Sequence, residues 1–327
     1  MIVITGSSGF VGSRLLKELD MYWPQTPLRA FDLRPPKKKL PERVNIFYGG
    51  VENSDDIKEV LNGAEVVVHL AGKVDPHSKD FNELKRINTE GTRMVFREAA
   101  AAGCKLFILV ISAGIYGQPC KAEPFREDDT PQPVTPYQRS KWLAELAVQE
   151  EDAKGMILNI IRPAGLYGAG SLLEETAMYR KVLHQRYAIN LRGGVVVHPT
   201  HAMDLIKGLI ALIESPAAHQ TVFNLGGQGP FLLQNLQSII AEVLEVSRQT
   251  VEIPPWLATP LALSASAFFK VIGRKKPHLT AMARGEIFSA AVDDQRFRQA
   301  YPNVPIMDIR DGLREHINWL RESDTLK

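Results

Sequence analysis

The sequence is poor in cysteine, carries almost no net charge and does not begin with a long apolar run. Only Cys104 and Cys120 occur among its 327 residues, which excludes a disulfide framework and a four-ligand zinc site, and we expect no bound metal. The 39 basic and 37 acidic side chains nearly cancel, which excludes the concentrated positive field that proteins use to bind nucleic acids. With 45% hydrophobic and 23% charged residues, the composition is typical of a globular protein, not of a disordered chain or a multi-span membrane protein.

The N-terminus and the cysteine content together predict a cytoplasmic protein. Met1 is followed at once by a strand-like run, Ile2-Val3-Ile4, which leaves no room for the charged segment and apolar core of a signal peptide. Two cysteines are typical of reduced intracellular thiols.

The first half of the chain alternates short β-branched runs with longer helical patterns. Strand, helix, strand in repetition predicts parallel strands joined by right-handed crossovers, and therefore an α/β fold with an open, doubly wound sheet. Several runs are apolar at successive positions, as in strands covered on both faces. The predicted strands are Ile2–Thr5, Leu28–Asp32, Val44–Tyr48, Val66–Leu70, Leu106–Ile111, Ile157–Arg162, Val195–His198 and Val222–Leu225. The predicted helices are Val11–Leu19, Ile57–Leu61, Phe81–Ala102, Tyr137–Ala153 and Ala177–Gln185.

A glycine-rich turn follows the first predicted strand and opens a helix. Thr5-Gly6-Ser7-Ser8-Gly9-Phe10-Val11-Gly12 spaces three glycines so that the backbone turns tightly, approaches a pyrophosphate and lets helix and strand pack closely. The helix N-terminus adds partial positive charge where phosphates would lie. Asp32 ends the second strand, where a carboxylate can accept hydrogen bonds from the ribose hydroxyls of a dinucleotide.

The choice between NAD and NADP stays open at this point. Asp32 favours NAD because a carboxylate would repel the 2′-phosphate of NADP. Arg34 and the run Lys37-Lys38-Lys39 could instead pair with that phosphate, although a lysine run among prolines is more often a solvated surface.

A tyrosine and a lysine lie one helical turn apart in Tyr137-Gln138-Arg139-Ser140-Lys141. A free phenol has a pKa near 10, so lowering it to about 7 takes about 4 kcal/mol, which a lysine ammonium and a positive nicotinamide ring can supply together. Ser112 closes the strand before this helix, at the carboxyl edge of the sheet where ligands bind in such folds. His69-Leu70-Ala71-Gly72 ends an earlier strand, and Asn88 lies in the helix beyond it.

With these motifs in place, the sequence resembles the extended short-chain dehydrogenases/reductases, the NAD-dependent epimerase/dehydratase superfamily. The glycine turn matches TGxxGxxG, Tyr137 with Lys141 matches YxxxK, and residues 162–168 match RPxxxYG. The resemblance implies a Rossmann sheet formed by residues 1–165 and 195–227. It further implies a smaller, mainly helical substrate-binding lobe formed by residues 166–194 and 228–327.

The same resemblance implies a role for each candidate catalytic residue. Tyr137 is the general acid/base, Ser112 hydrogen-bonds the reacting oxygen, Lys141 lowers the tyrosine pKa and holds the nicotinamide ribose, and Asn88 is the family's helix asparagine. The implied cofactor-binding residues are Gly6, Ser8, Gly9, Phe10, Val11, Gly12, Asp32, Leu33, Arg34, Val51, Leu70, Ala71, Gly72, Tyr137, Lys141 and Pro163.

Two positions depart from the family pattern. The family carries an acid after the glycine that ends its third strand, whereas this chain reads Gly49-Gly50-Val51, so one adenine contact is in doubt. Where the family has an aspartate three residues after a histidine, this chain has His201, which we interpret as structural.

The substrate class is the least determined property. Enzymes of diphosphate sugars place an arginine near residue 193, where this chain has Gly193 and Gly194 beside Arg192, although Arg180, Lys181 and Arg186 could compensate. The apolar stretch 256–273, followed by Arg274-Lys275-Lys276, resembles the 3β-hydroxysteroid dehydrogenase branch. It is compatible with a helix packed on its own lobe, with a hydrophobic substrate entrance, or with a peripheral membrane contact through 256–276.

The sequence therefore predicts an NAD(P)-dependent oxidoreductase for a secondary alcohol or ketone of an apolar, sterol-like small molecule. A nucleotide-sugar epimerase or dehydratase is the alternative, and a cofactor-binding regulator without turnover is a third hypothesis, disfavoured by the intact Ser112, Tyr137 and Lys141. By family resemblance we also expect a homodimer formed through helices Phe81–Ala102 and Tyr137–Ala153.

Overall fold

The structure of the protein is a computed structural model. It describes residues 1–36, 39–117, 123–171, 174–184, 187–191, 196–247, 249–253, 291–323 and 325. Lys37, Lys38, Cys120, Arg186, Arg192, Gly193, Gly194, the apolar stretch 256–273 and the basic cluster 274–276 lie outside the described residues.

Seven parallel strands form the central sheet. In chain order, the strands of the protein are β1 (Ile2–Thr5), β2 (Leu28–Asp32), β3 (Val44–Tyr48), β4 (Val66–His69), β5 (Leu106–Val110), β6 (Ile157–Pro163), β7 (Gly165–Tyr167), β8 (Tyr187–Leu191), β9 (Val196–Val197), β10 (Pro199–His201), β11 (Thr221–Leu225), β12 (Phe231–Leu232) and β13 (Gln249–Ile253). The sheet order is β3-β2-β1-β4-β5-β6-β11, and every pair in it is parallel. The order reverses between β1 and β4, which is where open α/β sheets bind ligands, and the doubly wound Rossmann architecture is confirmed.

Helices cover both faces of this sheet. The helices that the structure describes are α1 (Gly12–Tyr22), α2 (Ser54–Leu61), α3 (Phe81–Leu84), α4 (Gly91–Ala101), α5 (Pro136–Gln149), α6 (Glu174–His184), α7 (Ala202–Glu214), α8 (Leu233–Leu244), α9 (Gln295–Ala300) and α10 (Ile309–Glu322). One apolar core packs α2, α4 and α5 on one face of the sheet. A second core packs α1, α7 and α9 on the other.

A third core packs α6, α8 and α10 together. This region is mainly helical, as predicted, but it also contains strands that the sequence did not predict, β8 and β13 among them. Residues 249–253 pair in parallel with residues 187–191, about sixty positions earlier. No hairpin turn connects two strands that lie so far apart in the sequence. The local signals from which a hairpin is predicted are therefore missing for this pair.

The helix predicted over Phe81–Ala102 is present, but its backbone is not α-helical throughout. A π-helical segment, Lys85–Glu90, separates α3 from α4 and contains Asn88. Such segments insert an extra residue into a helix and occur frequently at functional sites. The sequence pattern predicted the helix but not this change in its hydrogen bonding.

No helix within the described ranges is long and apolar enough to cross a bilayer.

The N-terminus of α5 is fixed by a reciprocal pair of hydrogen bonds. The Thr135 hydroxyl accepts from the Gln138 backbone N–H at 3.2 Å, and the Gln138 side chain accepts from the Thr135 backbone N–H at 3.0 Å. Pro136 occupies the first helical position, where its missing N–H costs nothing. This capping box determines where the helix begins, and therefore where Tyr137 lies.

We predict that Thr135→Ala lowers the free energy of unfolding by about 1 kcal/mol, because it removes the cap acceptor. Thr135→Ser keeps the hydroxyl and is the matched control, expected to stay within about 0.5 kcal/mol of the parent. Urea denaturation measures both values. Equal stabilities of the two variants would show that the cap does not hold this helix.

Candidate active site

The glycine turn between β1 and α1 is too tightly packed for any other residue type at two positions. Gly6 has a positive φ of +66°, and a Cβ there would lie 2.7 Å from the backbone nitrogen of Ala71. A Cβ on Gly12 would lie 2.4 Å from the Gly6 carbonyl oxygen. The exposed backbone of Gly9 faces solvent at the start of the helix. The turn thus offers uncovered backbone beside a helix N-terminus, and this fits a pyrophosphate.

Asp32 is tied to this turn by its own side chain. One carboxylate oxygen accepts from the Ser8 backbone N–H at 2.9 Å, and the other accepts from the Arg34 backbone N–H at 3.1 Å. The Ser8 hydroxyl donates to the Arg34 carbonyl oxygen at 2.7 Å and closes the arrangement. A carboxylate offers about four acceptor positions, so two remain for ribose hydroxyls. The side chain of Leu33, 70% exposed, follows Asp32 directly.

Lys141 is buried at the carboxyl end of the sheet. Its Nζ donates to the Val110 carbonyl oxygen at 3.3 Å, and a Cβ on Gly72 would lie 3.6 Å from that nitrogen. Burial lowers the pKa of Lys141 to about 8. The ammonium is therefore held at the ends of β4 and β5, beside the sheet's switch point.

Tyr137 lies one helical turn before Lys141 on α5. Burial raises the pKa of its phenol to about 12, so the protein by itself holds Tyr137 protonated at neutral pH. Lys141 alone does not lower the pKa of the Tyr137 phenol, as the sequence led us to expect that it would help to do. That lowering needs a further positive group, such as a bound nicotinamide ring.

Ser112 lies beside the start of α5 and precedes a short 3₁₀ turn, Ala113–Tyr116. Its Oγ accepts from the Gly114 backbone N–H at 3.1 Å. A Cβ on Gly114 would lie 3.2 Å from that oxygen and 3.7 Å from the Gln138 side chain, so the serine adjoins the turn of α5 that carries Tyr137. The hydroxyl proton makes no hydrogen bond to any residue that the structure describes, which leaves it available to a ligand.

Asn88 is buried, and its amide is occupied by the protein itself. The amide oxygen accepts from the Lys73 backbone N–H at 2.7 Å, and the amide nitrogen donates to the Lys73 carbonyl at 3.1 Å and to Ser140 Oγ at 3.0 Å. A Cβ on Gly72 would lie 3.0 Å from the amide oxygen. Asn88, which the sequence predicted to be catalytic, therefore lies at the edge of the site and holds the backbone of Lys73 and the Ser140 side chain of α5.

A buried ion pair, which sequence reasoning missed, connects the elements around these residues. Arg162 on β6 forms two hydrogen bonds to the Glu145 carboxylate on α5, with Nε to Oε2 at 3.0 Å. Its Nη1 also donates to the Tyr116 hydroxyl at 2.7 Å and to the Glu127 carbonyl at 3.0 Å. The Tyr116 hydroxyl donates onward to Asn224 on β11 at 2.9 Å. The sequence contained one indication that Glu145 faces the site, because it lies four residues after Lys141 and thus on the same face of α5.

The other predicted cofactor residues border the same end of the sheet. Phe10 packs against Gly170, where a Cβ would lie 3.4 Å from the ring, and the Arg14 guanidinium lies 5.4 Å from the ring centroid. At Gly50, where the family carries an acid, the backbone N–H donates to an Asp56 carboxylate oxygen at 3.3 Å. The remaining positions are Val11 just before α1, Val51 after β3, Leu70 and Ala71 after β4, and Pro163 at the end of β6.

The structure agrees with the structural interpretation of His201. This buried side chain accepts from the Met203 backbone N–H at 3.4 Å at the start of α7, and its Nε2 lies 3.2 Å from Glu315 on α10. No cluster of histidine, cysteine, aspartate or glutamate that could hold a metal occurs in the part of the chain that the structure covers.

Comparison with known proteins adds a family and several relatives. The family model described as the NAD dependent epimerase/dehydratase family matches residues 2–226. The sterol-4-alpha-carboxylate 3-dehydrogenase ERG26 of Candida albicans is 21% identical and covers 98% of this chain and 97% of its own length. The 3 beta-hydroxysteroid dehydrogenase type 7 of Homo sapiens is 31% identical over 51% of this chain and 50% of its own.

The chain is also similar to proteins whose names refer to nucleotide sugars. The dTDP-4-dehydro-6-deoxyglucose reductase of Escherichia coli is 27% identical over 72% of this chain and 79% of its own. Among solved structures, MoeE5 in complex with UDP-glucuronic acid and NAD has a TM-score of 0.76 at 21% identity, covering 98% of this chain and 99% of that one. At this identity the structural likeness supports the fold.

We predict that Glu145→Gln lowers the free energy of unfolding by about 3 kcal/mol or more, because it leaves the buried Arg162 guanidinium without its counter-charge. Glu242→Gln is the control, because the ion pair of Glu242 with Arg310 is exposed and such pairs contribute between about 0 and 1 kcal/mol. Urea denaturation of both variants measures the difference. A loss below about 1 kcal/mol for Glu145→Gln would contradict the role of this pair.

Proposed function

We propose, because this chain belongs to the NAD dependent epimerase/dehydratase family, that it is an NAD-dependent oxidoreductase interconverting a secondary alcohol and a ketone on an apolar, sterol-like molecule. The observation that carries the proposal is the grouping of Ser112, Tyr137 and Lys141 at the carboxyl edge of the sheet, next to the glycine turn. We also propose the division stated above, with residues 1–165 and 195–227 holding the dinucleotide and residues 166–194 and 228–327 holding the substrate.

The residues present fit NAD. The backbone of the Gly6–Gly12 turn would hold the pyrophosphate, Asp32 the adenosine ribose and Lys141 the nicotinamide ribose. Asp32 would also exclude the 2′-phosphate of NADP through like charge. When bound, NAD supplies the hydride chemistry, which no side chain can provide.

Each catalytic side chain has one task in this proposal. Tyr137 donates its phenolic proton to the substrate oxygen during ketone reduction and takes a proton from the hydroxyl during alcohol oxidation. Ser112 donates a hydrogen bond to the same oxygen and orients it. In the oxidising direction the tyrosine pKa must fall from about 12, at about 1.4 kcal/mol per unit, and Lys141 contributes the charge for part of that shift.

Two exposed apolar side chains support an apolar substrate. Val74, 59% exposed, lies two residues beyond Gly72, which adjoins the Lys141 ammonium. Val134, 57% exposed, lies three residues before Tyr137, and its backbone N–H is held by the Gln138 side chain at 2.9 Å. The nearby cation Lys73 is already paired with Glu83. Exposed apolar side chains so near the proposed catalytic residues favour a substrate that binds by excluding water.

A nucleotide-sugar enzyme is the second candidate, supported by the similarity to the Escherichia coli sugar-nucleotide reductase. A regulator that binds the cofactor without turnover would have no need of Ser112, Tyr137 and Lys141. We also propose that the protein forms a homodimer through the helices predicted over Phe81–Ala102 and Tyr137–Ala153.

We predict that Tyr137→Phe lowers turnover by about 100-fold or more, because it removes the proton donor, and leaves NAD affinity within about twofold. Nicotinamide absorbance, followed with secondary alcohols, hydroxysteroids and nucleotide sugars, measures the turnover. Tyr22→Phe, which alters an exposed tyrosine on α1, is the control and should change neither quantity.

Net reduction of NAD by a hydroxysteroid supports the proposal. Isomerisation of a nucleotide sugar without net change in the cofactor would replace it with the second candidate. Unchanged turnover in Tyr137→Phe would contradict the role of this residue.

We further predict that Val74→Asp raises the KM for a hydroxysteroid by about tenfold, because a charge replaces an apolar contact. Val251→Asp, at an exposed valine on β13, is the matched control and should leave KM unchanged. Steady-state kinetics with NAD saturating measures both. An unaltered KM in Val74→Asp would remove this residue from the substrate site.

A further inference from the structure

A histidine that the proposed mechanism does not use lies directly behind the site. His69 ends β4 and is 1% exposed. Its Nδ1 lies 2.8 Å from the Thr5 hydroxyl, and its Nε2 lies 3.0 Å from the Thr92 hydroxyl. Thr5 is the residue directly before Gly6, and Thr92 lies in the first turn of α4. The ring therefore bridges the glycine turn and the helix beside Asn88.

Counting protons assigns the state of this ring. Thr92 donates its one hydroxyl proton to the Asn88 carbonyl oxygen at 2.6 Å, so it can only accept from His69 Nε2–H. Thr5 Oγ1 accepts from the Ala71 backbone N–H at 3.2 Å, and its own proton is free to reach His69 Nδ1. A neutral imidazole protonated on Nε2 satisfies both contacts, whereas the other tautomer leaves Nε2, an acceptor, facing a Thr92 oxygen that has no proton to donate to it.

The same series of hydrogen bonds continues to the catalytic helix. The Asn88 amide donates to Ser140 Oγ at 3.0 Å, and the Ser140 hydroxyl donates to the Tyr137 carbonyl oxygen at 2.8 Å. All the side chains in this series, Thr5, His69, Thr92, Asn88 and Ser140, are buried. A continuous buried network thus runs from the end of β1 to the first turn of α5.

The surroundings keep the ring neutral. Burial, and after it the positive charge of Lys141, lowers the pKa of His69 to about 3. The hydrogen bonds by themselves do not exclude a protonated ring, which would donate to both threonine oxygens, so the exclusion of water is what keeps the imidazole neutral.

We propose that His69 is a positioning residue that holds the glycine turn and the start of α5 at a fixed separation, so that a dinucleotide bound at the turn reaches Tyr137 and Lys141. This inference rests on the proposed roles of those two residues. It concerns the nicotinamide half of the cofactor, because the adenosine ribose would be held by Asp32, whose hydrogen-bond partners Ser8 and Arg34 lie outside the network.

Calorimetric titration with two ligands tests the proposal. Thr92→Val has nearly the same shape as the parent but breaks the network between His69 and Asn88, whereas Thr92→Ser keeps the hydroxyl and is the matched control. NAD carries the nicotinamide half and ADP-ribose lacks it. We expect Thr92→Val to weaken NAD binding by about fivefold, or about 1 kcal/mol, and to leave ADP-ribose binding within about twofold. Thr92→Ser should keep both affinities within about twofold.

Two outcomes of this titration would overturn the proposal. An equal loss for both ligands would show a general loosening of the fold, and no loss for either would show that the network does not position the cofactor. Neither measurement needs a substrate, so a failure of the proposed reaction appears separately, as absence of turnover with intact NAD binding.

Nitrogen-15 NMR of the unaltered protein provides an independent test that does not depend on how a variant folds. Long-range proton–nitrogen correlations at neutral pH, with the His69 signals identified by their loss in His69→Gln, report which ring nitrogen carries the proton. A neutral ring with its proton on Nε2 supports the proposal. A proton on Nδ1, or a charged ring, would contradict it.

Discussion

The buried ion pair of Arg162 and Glu145 is the interaction on which the arrangement of the site depends. It joins β6 to α5, and through the Tyr116 hydroxyl it also holds the turn that follows Ser112. The guanidinium is almost fully removed from water, so it needs each of its acceptors. Replacing such a pair by apolar residues can cost little, whereas removing one partner leaves an unpaired buried charge. The pair therefore acts less as a source of stability than as a constraint, because its hydrogen bonds form only when β6, α5 and the turn after Ser112 meet, and the last two carry or adjoin the proposed catalytic residues.

The two halves of the site are built in different ways. The dinucleotide half consists of backbone, shaped by glycines that the neighbouring chain leaves no room to replace, and Asp32 is locked to it by two backbone N–H groups. The reactive half consists of side chains whose protonation depends on burial. Burial raises the pKa of Tyr137 and lowers that of Lys141, which brings the lysine closer to neutrality and leaves the phenol protonated. In the proposed mechanism the protonated phenol suits ketone reduction, whereas alcohol oxidation would need added positive charge, which an oxidised nicotinamide ring would supply.

Sequence patterns predicted the sheet because its strands and helices are local features. Ile2–Thr5 and Leu28–Asp32 are short apolar runs between helical patterns, and the structure contains both with the predicted bounds. The same reasoning missed the pairing of β8 with β13 and the π-helical segment at Asn88. The first depends on a partner sixty residues away, and the second changes the helical register by one residue without changing its hydrophobic period. The association of Asn88 with the site stays a prediction, and its amide holds the Lys73 backbone and Ser140, which no spacing rule could show.

By itself, the sequence determined the doubly wound fold, the glycine turn, the acid that follows it and the spacing of Tyr137 and Lys141. These features follow from the conformational range of glycine and from the periods of helices and strands, which act within a few residues. Only the tertiary structure decided which buried polar groups meet, including Arg162 with Glu145 and His69 with Thr5 and Thr92. It also decided the direction of each pKa shift. Both depend on how far water is excluded when distant segments pack together, and that property belongs to the folded chain as a whole.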